Sequence, residues 1–274
     1  MKPTLTRRTL LFIIAAAGAF IMVVPFLYTI SVAFTPFAYD ISMPKLWPDH
    51  PTLENFIRAW TSSNFLRYTA NSVLLSVAAP LGGILISSLT AYAFARFEFV
   101  GREFLFRLML FTLMVPGMIS LIPTFLVMRD LHLLDSRMGL LVLYWAQAIA
   151  GTTFWLRGFF AGLPRELEEA VVIDGGNRWT IYRYVAMPLA RPALITTGIF
   201  TFLGTWEEFF WARMILSDET LRTLPIAIRM QQDMHATNYG LQFAFSLIAI
   251  VPPLLFFIFG QRHFIQLPGG GVKG

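Results

Sequence analysis

Glu207 and Glu208 stand side by side in the stretch WEEFFW, between Trp206 and Phe209, Phe210 and Trp211. Two neighbouring carboxylates raise the question of acid–base chemistry. On a helix, adjacent residues point about 100° apart, which is poor geometry for a shared acid–base pair. Carboxylates beside aromatic faces suit another task, because hydroxyl-rich ligands such as sugars donate to the acids and rest on the rings. Two plainer roles stand beside that one. The acids could be charges at the end of a membrane span, with the Trp residues as an interfacial belt. They could also be the coupling acids of an ion-driven transporter, since acidic residues at membrane depth usually face a cavity.

Other polar residues sit in apolar surroundings. The stretch YWAQAIAGTTFW carries Tyr144, Gln147, Thr152 and Thr153. An amide there faces either a cavity or a neighbouring helix. Asn71 and Ser72 open another apolar run as caps or cavity residues. Met114, Pro116 and Met118 could form a gate. Several chemistries are excluded. The chain has no Cys, which removes disulfides, thiol catalysis and Cys-ligated metals. His50, His132, His235 and His263 have no ligand-like spacing, so no metal site is expected. The closing GGGVKG has Gly and Lys without the spacing of a nucleotide-binding P-loop, and no HExxH or GxSxG is present.

The longest polar interruption is ELEEAVVIDGGNRWTIYRYVAMPLARP, from Glu166 to Pro192. Pro164 suits a helix start, and Glu166, Glu168 and Glu169 suit a first turn. Leu167, Ala170 and Val171 form one apolar face. Asp174, Gly175 and Gly176 end that helix, and Asn177 can cap a second one carrying Trp179, Ile181, Tyr182 and Val185. The spacing predicts two short helices around a tight Gly turn. Their apolar surface suits either a docked partner or lipid headgroups.

The elements that must hold these residues are membrane spans. The 274 residues are 56% hydrophobic and 14% charged, with mean hydropathy +0.63, whereas soluble domains carry about 25% charge. Six stretches are long enough to span: 10–34, 72–94, 105–128, 139–160, 193–211 and 240–259. The first is too long for a cleaved signal and reads as a retained anchor. With the N-terminus inside, 13 of the 21 Lys and Arg fall on the cytoplasmic side, favouring N-in and C-in. The net charge of +5 then sets topology, and no nucleic-acid footprint is expected. The expected fold is an all-α polytopic membrane protein of one domain over 1–274. Residues 35–71 form its external loop, 161–191 a cytoplasmic loop between the fourth and fifth helices, and 260–274 a cytoplasmic tail. Within the external loop, TLENFIRAW has helical spacing. Pro25, Pro80, Pro116, Pro123, Pro252 and Pro253 interrupt the spans, either as packing irregularity or as hinges of a translocation path.

The polar interruption resembles the EAA loop of binding-protein-dependent ABC importer permeases, on Glu169, Ala170, Asp174, Gly175 and Pro188. Val171 stands where a second Ala is usual, and Met187 where Leu usually precedes Pro. NSVLLS from Asn71, AYAFARFEFVGRE, TWEEFFWA and the GGGVKG tail are similar to further segments of the carbohydrate-uptake permeases, in particular those related to the smaller permease of the maltose system. Glu207 replaces the family's usual Asn.

The resemblance implies a subunit that moves a sugar or sugar-like solute and is not itself an enzyme. Its partners would be a second homologous permease, two cytoplasmic ATPases and an extracellular solute-binding protein. ATP and Mg would sit on the ATPases, with no cofactor on this chain. Glu168 and Glu169 would meet the ATPase groove, Ala170 would pack there, and Gly175 would allow the turn. The tail from Gln266 would reach between the ATPases. The setting would be a bacterial or archaeal cytoplasmic membrane. Polyols and glycerol phosphodiesters stand beside saccharides as possible cargo. An ion-coupled secondary transporter using Glu207 and Glu208 is the competing reading, though it calls for an inverted repeat that the chain does not show.

Overall fold

The computed structural model describes residues 5–36, 45, 47–61, 64–230 and 238–264, the side chains of 5–8 and 260–264 excepted. The C-terminal tail from residue 265 and the middle of the expected external loop lie outside the described residues. Among those residues the chain is helical, with no strand. Among the described residues, four helices are long and apolar enough to cross a membrane. They are α1 (Leu5–Ala33) over Thr9–Ala33, α3 (Phe65–Arg96), α6 (Arg137–Ala161) and α13 (Tyr239–Phe264) over Tyr239–Phe259. A fifth candidate is a bent pair, Arg178–Leu189 and Arg191–Trp206, meeting at 72°.

Two of the six apolar stretches are broken. The third, expected over 105–128, is α4 (Arg102–Phe111), a 3-10 turn at Thr112–Met114, and then α5 (Leu121–Asp130). Pro116 is the physical reason: it lacks an N–H, and its ring pushes the preceding residue out of the helical region. Val115 is accordingly extended, with φ −82° and ψ 116°. The fifth stretch, expected over 193–211, stops where α10 (Arg191–Trp206) ends, and α11 (Phe210–Ile215) begins anew.

The chain divides into two units, Met1–Leu66 with Ala227–Val251, and Arg67–Ile226 with Pro252–Gly274. In the first, α2 (Glu54–Thr61) forms where TLENFIRAW predicts a helix. Its buried Asn55 donates to the carbonyls of Ala33 and Thr35, each at 2.9 Å, satisfying groups that the end of α1 leaves open. Tyr28 of α1 meets Phe243 of α13 edge to face.

The second unit holds the helices around both candidate regions. Here α3 and α6 run parallel. Trp145 donates to the Ala78 carbonyl, Thr153 to that of Ser87, and Phe160 packs on Tyr92, so both chains advance in the same direction. Gly82 permits this approach, since a Cβ there would run into the Trp145 ring. Parallel neighbours require a return path between them, and the broken third stretch provides it. Glu103 and Phe106 of α4 meet Arg157 near the end of α6, whereas Leu133, just past α5, packs against Gly139 near its start. The fifth stretch runs back as well: Ala193 shares a core with Leu156 and Phe160, while Glu208 reaches Tyr144. Residues 71–208 thus traverse this bundle four times.

Candidate functional site

One end of the second unit is built by the polar interruption. α7 (Glu166–Ile173) has three acids in its first turn, where carboxylates meet the positive helix end. Its last turn closes on glycine. Gly175 N–H donates to Val172 O at 3.0 Å and Gly176 N–H to Val171 O at 2.8 Å, the paired bonds of a Schellman motif. Gly175 occupies the left-handed position that this motif needs, with φ +79°. Asp174 is the C-cap. Asn177 then opens α8 (Arg178–Ile181) with a reciprocal cap: Thr180 N–H donates to Asn177 Oδ1 at 3.0 Å, and Asn177 N–H to Thr180 Oγ1 at 3.4 Å. A π-turn at Tyr182–Ala186 and α9 (Met187–Leu189), which contains Pro188, lead to α10.

The segment has an inner and an outer side. Ile181, Tyr182, Ala186 and Ala190 are buried against Tyr92, Leu156 and Phe160. Val172, Ile173 and Trp179 are exposed, Ile173 at 85%. The structure also separates the two acids that sequence places together. Glu169 and Ala170 face outward. Glu168 turns inward, where its Oε1 lies 2.9 Å from Arg96 Nε, with the side chains 12% and 5% exposed. Arg96 Nη2 also donates to the Leu163 carbonyl at 2.6 Å. Arg178 lies at the edge, 3.9 Å from Glu168 Oε2. Beside these residues is an open groove of about 1230 Å³, lined by Arg96, Phe97, Glu168, Val172 and Arg178 among others.

The opposite end carries the second candidate region. Glu208 is committed to structure: it accepts from Tyr144 Oη at 2.8 Å and from the N–H groups of Trp211 and Ala212 at 2.7 and 2.9 Å. It therefore caps α11 from within the break. Glu207 is exposed, and Trp206 is buried and stacked on Phe202. The buried Asn71 donates to the carbonyls of Thr220 and Arg222, tying the α11–α12 connection to α3, where α12 is Leu224–Met230. Ser72 Oγ accepts from Leu224 N–H in the same clamp. Gln147 and Met114 are exposed, and Thr152 is buried in α6. Arg96 was not a candidate in the sequence, and Tyr144 was noted there as a polar residue in an apolar run. The only early sign of either was an isolated charge or hydroxyl beside an apolar run.

Among the described residues, no group of three or more His, Asp or Glu side chains could hold a metal ion.

The comparisons with known proteins agree with this architecture. Residues 83–266 match the model of the family described as binding-protein-dependent transport system inner membrane component, and the chain belongs to that family. It is a multi-pass membrane protein of a transport system. It is 34% identical over 245 residues to a diacetylchitobiose uptake system permease protein, NgcG, of Streptomyces coelicolor, covering 89% of this chain and 81% of that one. It is 35% identical over 262 residues to an arabinooligosaccharides transport system permease protein, AraQ, of Halalkalibacterium halodurans, covering 93% of both. In fold it matches a chain of a bacterial ABC transporter involved in import of the acidic polysaccharide alginate, with TM-score 0.82 and 24% identity over 96% of this chain and 100% of that one.

Proposed function

We propose that the chain is the permease subunit of an ATP-driven importer for a sugar or sugar-like solute, which an extracellular binding protein delivers. The observation that carries this reading is the outward-facing helix pair α7–α8 at one end of a membrane bundle, in a member of a binding-protein-dependent transport family. Relatives named for diacetylchitobiose and arabinooligosaccharides support the saccharide class.

The chain crosses the membrane six times, with both termini in the cytoplasm. The return path between the parallel α3 and α6 supports a third crossing despite its broken helix. Charge supports the orientation. In the second unit the α7 end holds Arg96, Arg102, Arg107, Arg157, Arg165, Arg178, Arg183 and Arg191, against Arg67, Arg129, Arg137, Arg213 and Arg222 at the other end. The domain is the single transmembrane unit over 1–274, with the external loop, coupling loop and tail as expected.

At the cytoplasmic end Glu169 and Ala170, with Val172 and Ile173, form the surface that an ATPase groove receives. Asp174, Gly175 and Pro188 shape the segment, and Glu168 anchors it from below. The partners are two ATPases that carry ATP and Mg, a second homologous permease, and the binding protein. Glu207, Gln147, Met114 and Thr152 belong to the solute path, with Trp206, Glu208 and Asn71 holding its outer end. The setting is the cytoplasmic membrane of a bacterium or archaeon.

Co-purification tests this reading. The chain expressed with its candidate partner permease and ATPases should bring the ATPases down from membranes, and Glu169→Lys should weaken that capture. An ATPase that never co-purifies would remove the reading.

A further inference from the structure

The final turns of α3 present three polar residues on one face, Ser88, Tyr92 and Arg96, at intervals of four. Each reaches the coupling segment or the turn before it. The Ser88 and Tyr182 hydroxyls are hydrogen-bonded at 2.8 Å. The Tyr92 ring packs on Tyr182 at 5.4 Å and on Phe160 at 5.7 Å. Arg96 closes the series with Glu168 and the Leu163 carbonyl.

The first two contacts hold α8 and the π-turn by packing. α7 sets Val171 against the same core and adds a tie of another kind. It has eight residues, too few to be stable alone. Its outer face is exposed, and a groove of about 1230 Å³ opens between it and the chain just past α3. Over that gap the polar tie is ionic: Glu168 to Arg96, both nearly buried. Arg178 is a poor substitute, being 64% exposed and 3.9 Å away. Arg96 also fixes the turn from which α7 starts, because Leu163 lies three residues before Glu166. A guanidinium can face a carboxylate while one of its amino groups donates to a carbonyl, which a Lys ammonium on the same stem does less well.

We infer that Arg96 is a positioning residue that fastens α7 to the end of α3, so that helix and span move as one body through the transport cycle. The inference rests on the importer reading above. A force applied to the outer face of α7 then reaches α3 directly. Without the tie, α7 tilts into the groove and the motion of the ATPases is spent locally.

Paired spin labels test this in the complete complex in lipid. The absence of Cys in this chain leaves it ready for labels at Val100→Cys and Glu166→Cys, both exposed positions. In the otherwise unaltered chain, the label distance should stay the same with and without bound nucleotide. A shift of more than about 5 Å, one helical turn, would overturn the inference. In Arg96→Gln the distance distribution should broaden, and solute moved per ATP hydrolysed should fall by about tenfold while the ATPases still co-purify. Arg96→Lys should fall between the two. Undiminished transport per ATP in Arg96→Gln, beside a solute-stimulated unaltered complex, would overturn the strut alone. An unaltered complex whose hydrolysis ignores every solute would remove the importer reading and the strut with it. If Arg96→Gln does not reach the membrane, the labels in the unaltered chain decide the matter.

Discussion

Glu168–Glu169 and Glu207–Glu208 are two pairs of adjacent acids at opposite ends of one bundle, and each pair is split by the structure. In each, one member turns inward and is consumed by architecture, and the other faces outward. The means differ. Glu168 is held by charge, beside a nearly buried guanidinium. Glu208 is held by hydrogen bonds, as a cap on the amides of Trp211 and Ala212 and as acceptor for Tyr144. The difference shows that neighbouring acids in a sequence are not two copies of one role. The bonding partner comes from an element far away in the chain, and it decides which acid is available for a ligand or partner.

Single substitutions should separate the members of each pair. Glu168→Ala leaves Arg96 nearly buried without its counter-charge, so it should cost about 3 kcal/mol of stability, read as thermal unfolding in detergent. Glu208→Ala should cost about 2–3 kcal/mol by orphaning two helix amides and a hydroxyl, while Glu207→Ala stays within about 0.5 kcal/mol. Equal losses from Glu207 and Glu208 would erase the distinction at that end. Gly175→Leu places a branched side chain in the left-handed region at about 1–2 kcal/mol. It should abolish solute-stimulated ATP hydrolysis while membrane insertion persists, and normal stimulation would contradict the coupling role of the turn.

The smallest expected effect lies outside the candidate spans. Asp218 accepts the Thr220 N–H, which holds its carboxyl below the usual carboxylate range. A depressed folded value contributes stability at neutral pH that is lost as pH falls through it. Asp218→Asn should therefore lower stability slightly at neutral pH and leave it unchanged at low pH, which flattens the acid limb of the unfolding curve.

Much of the scaffold was legible because its signals are local. Four apolar stretches became four long helices, and the Gly175 turn and the Asn177 cap formed where their residue types require them. The break in the third stretch was marked by Pro116, but apolar length concealed it. The break after Trp206 had no such mark, since it is stabilised by the reach of Glu208 to α11 and Tyr144. Asn71 carried a helix-cap signal and instead clamps a connection some 150 residues away in sequence. The inward turn of Glu168 was hidden for the same reason: its partner Arg96 is 72 residues earlier in the chain.

The most direct test of the account is ATP hydrolysis by the co-expressed complex in lipid, with and without its binding protein loaded from a panel of saccharides, polyols and glycerol phosphodiesters. The account predicts that one saccharide or sugar-like solute stimulates hydrolysis and enters the vesicle with it. Uptake by this chain alone, driven by an ion gradient and indifferent to ATP, would contradict it.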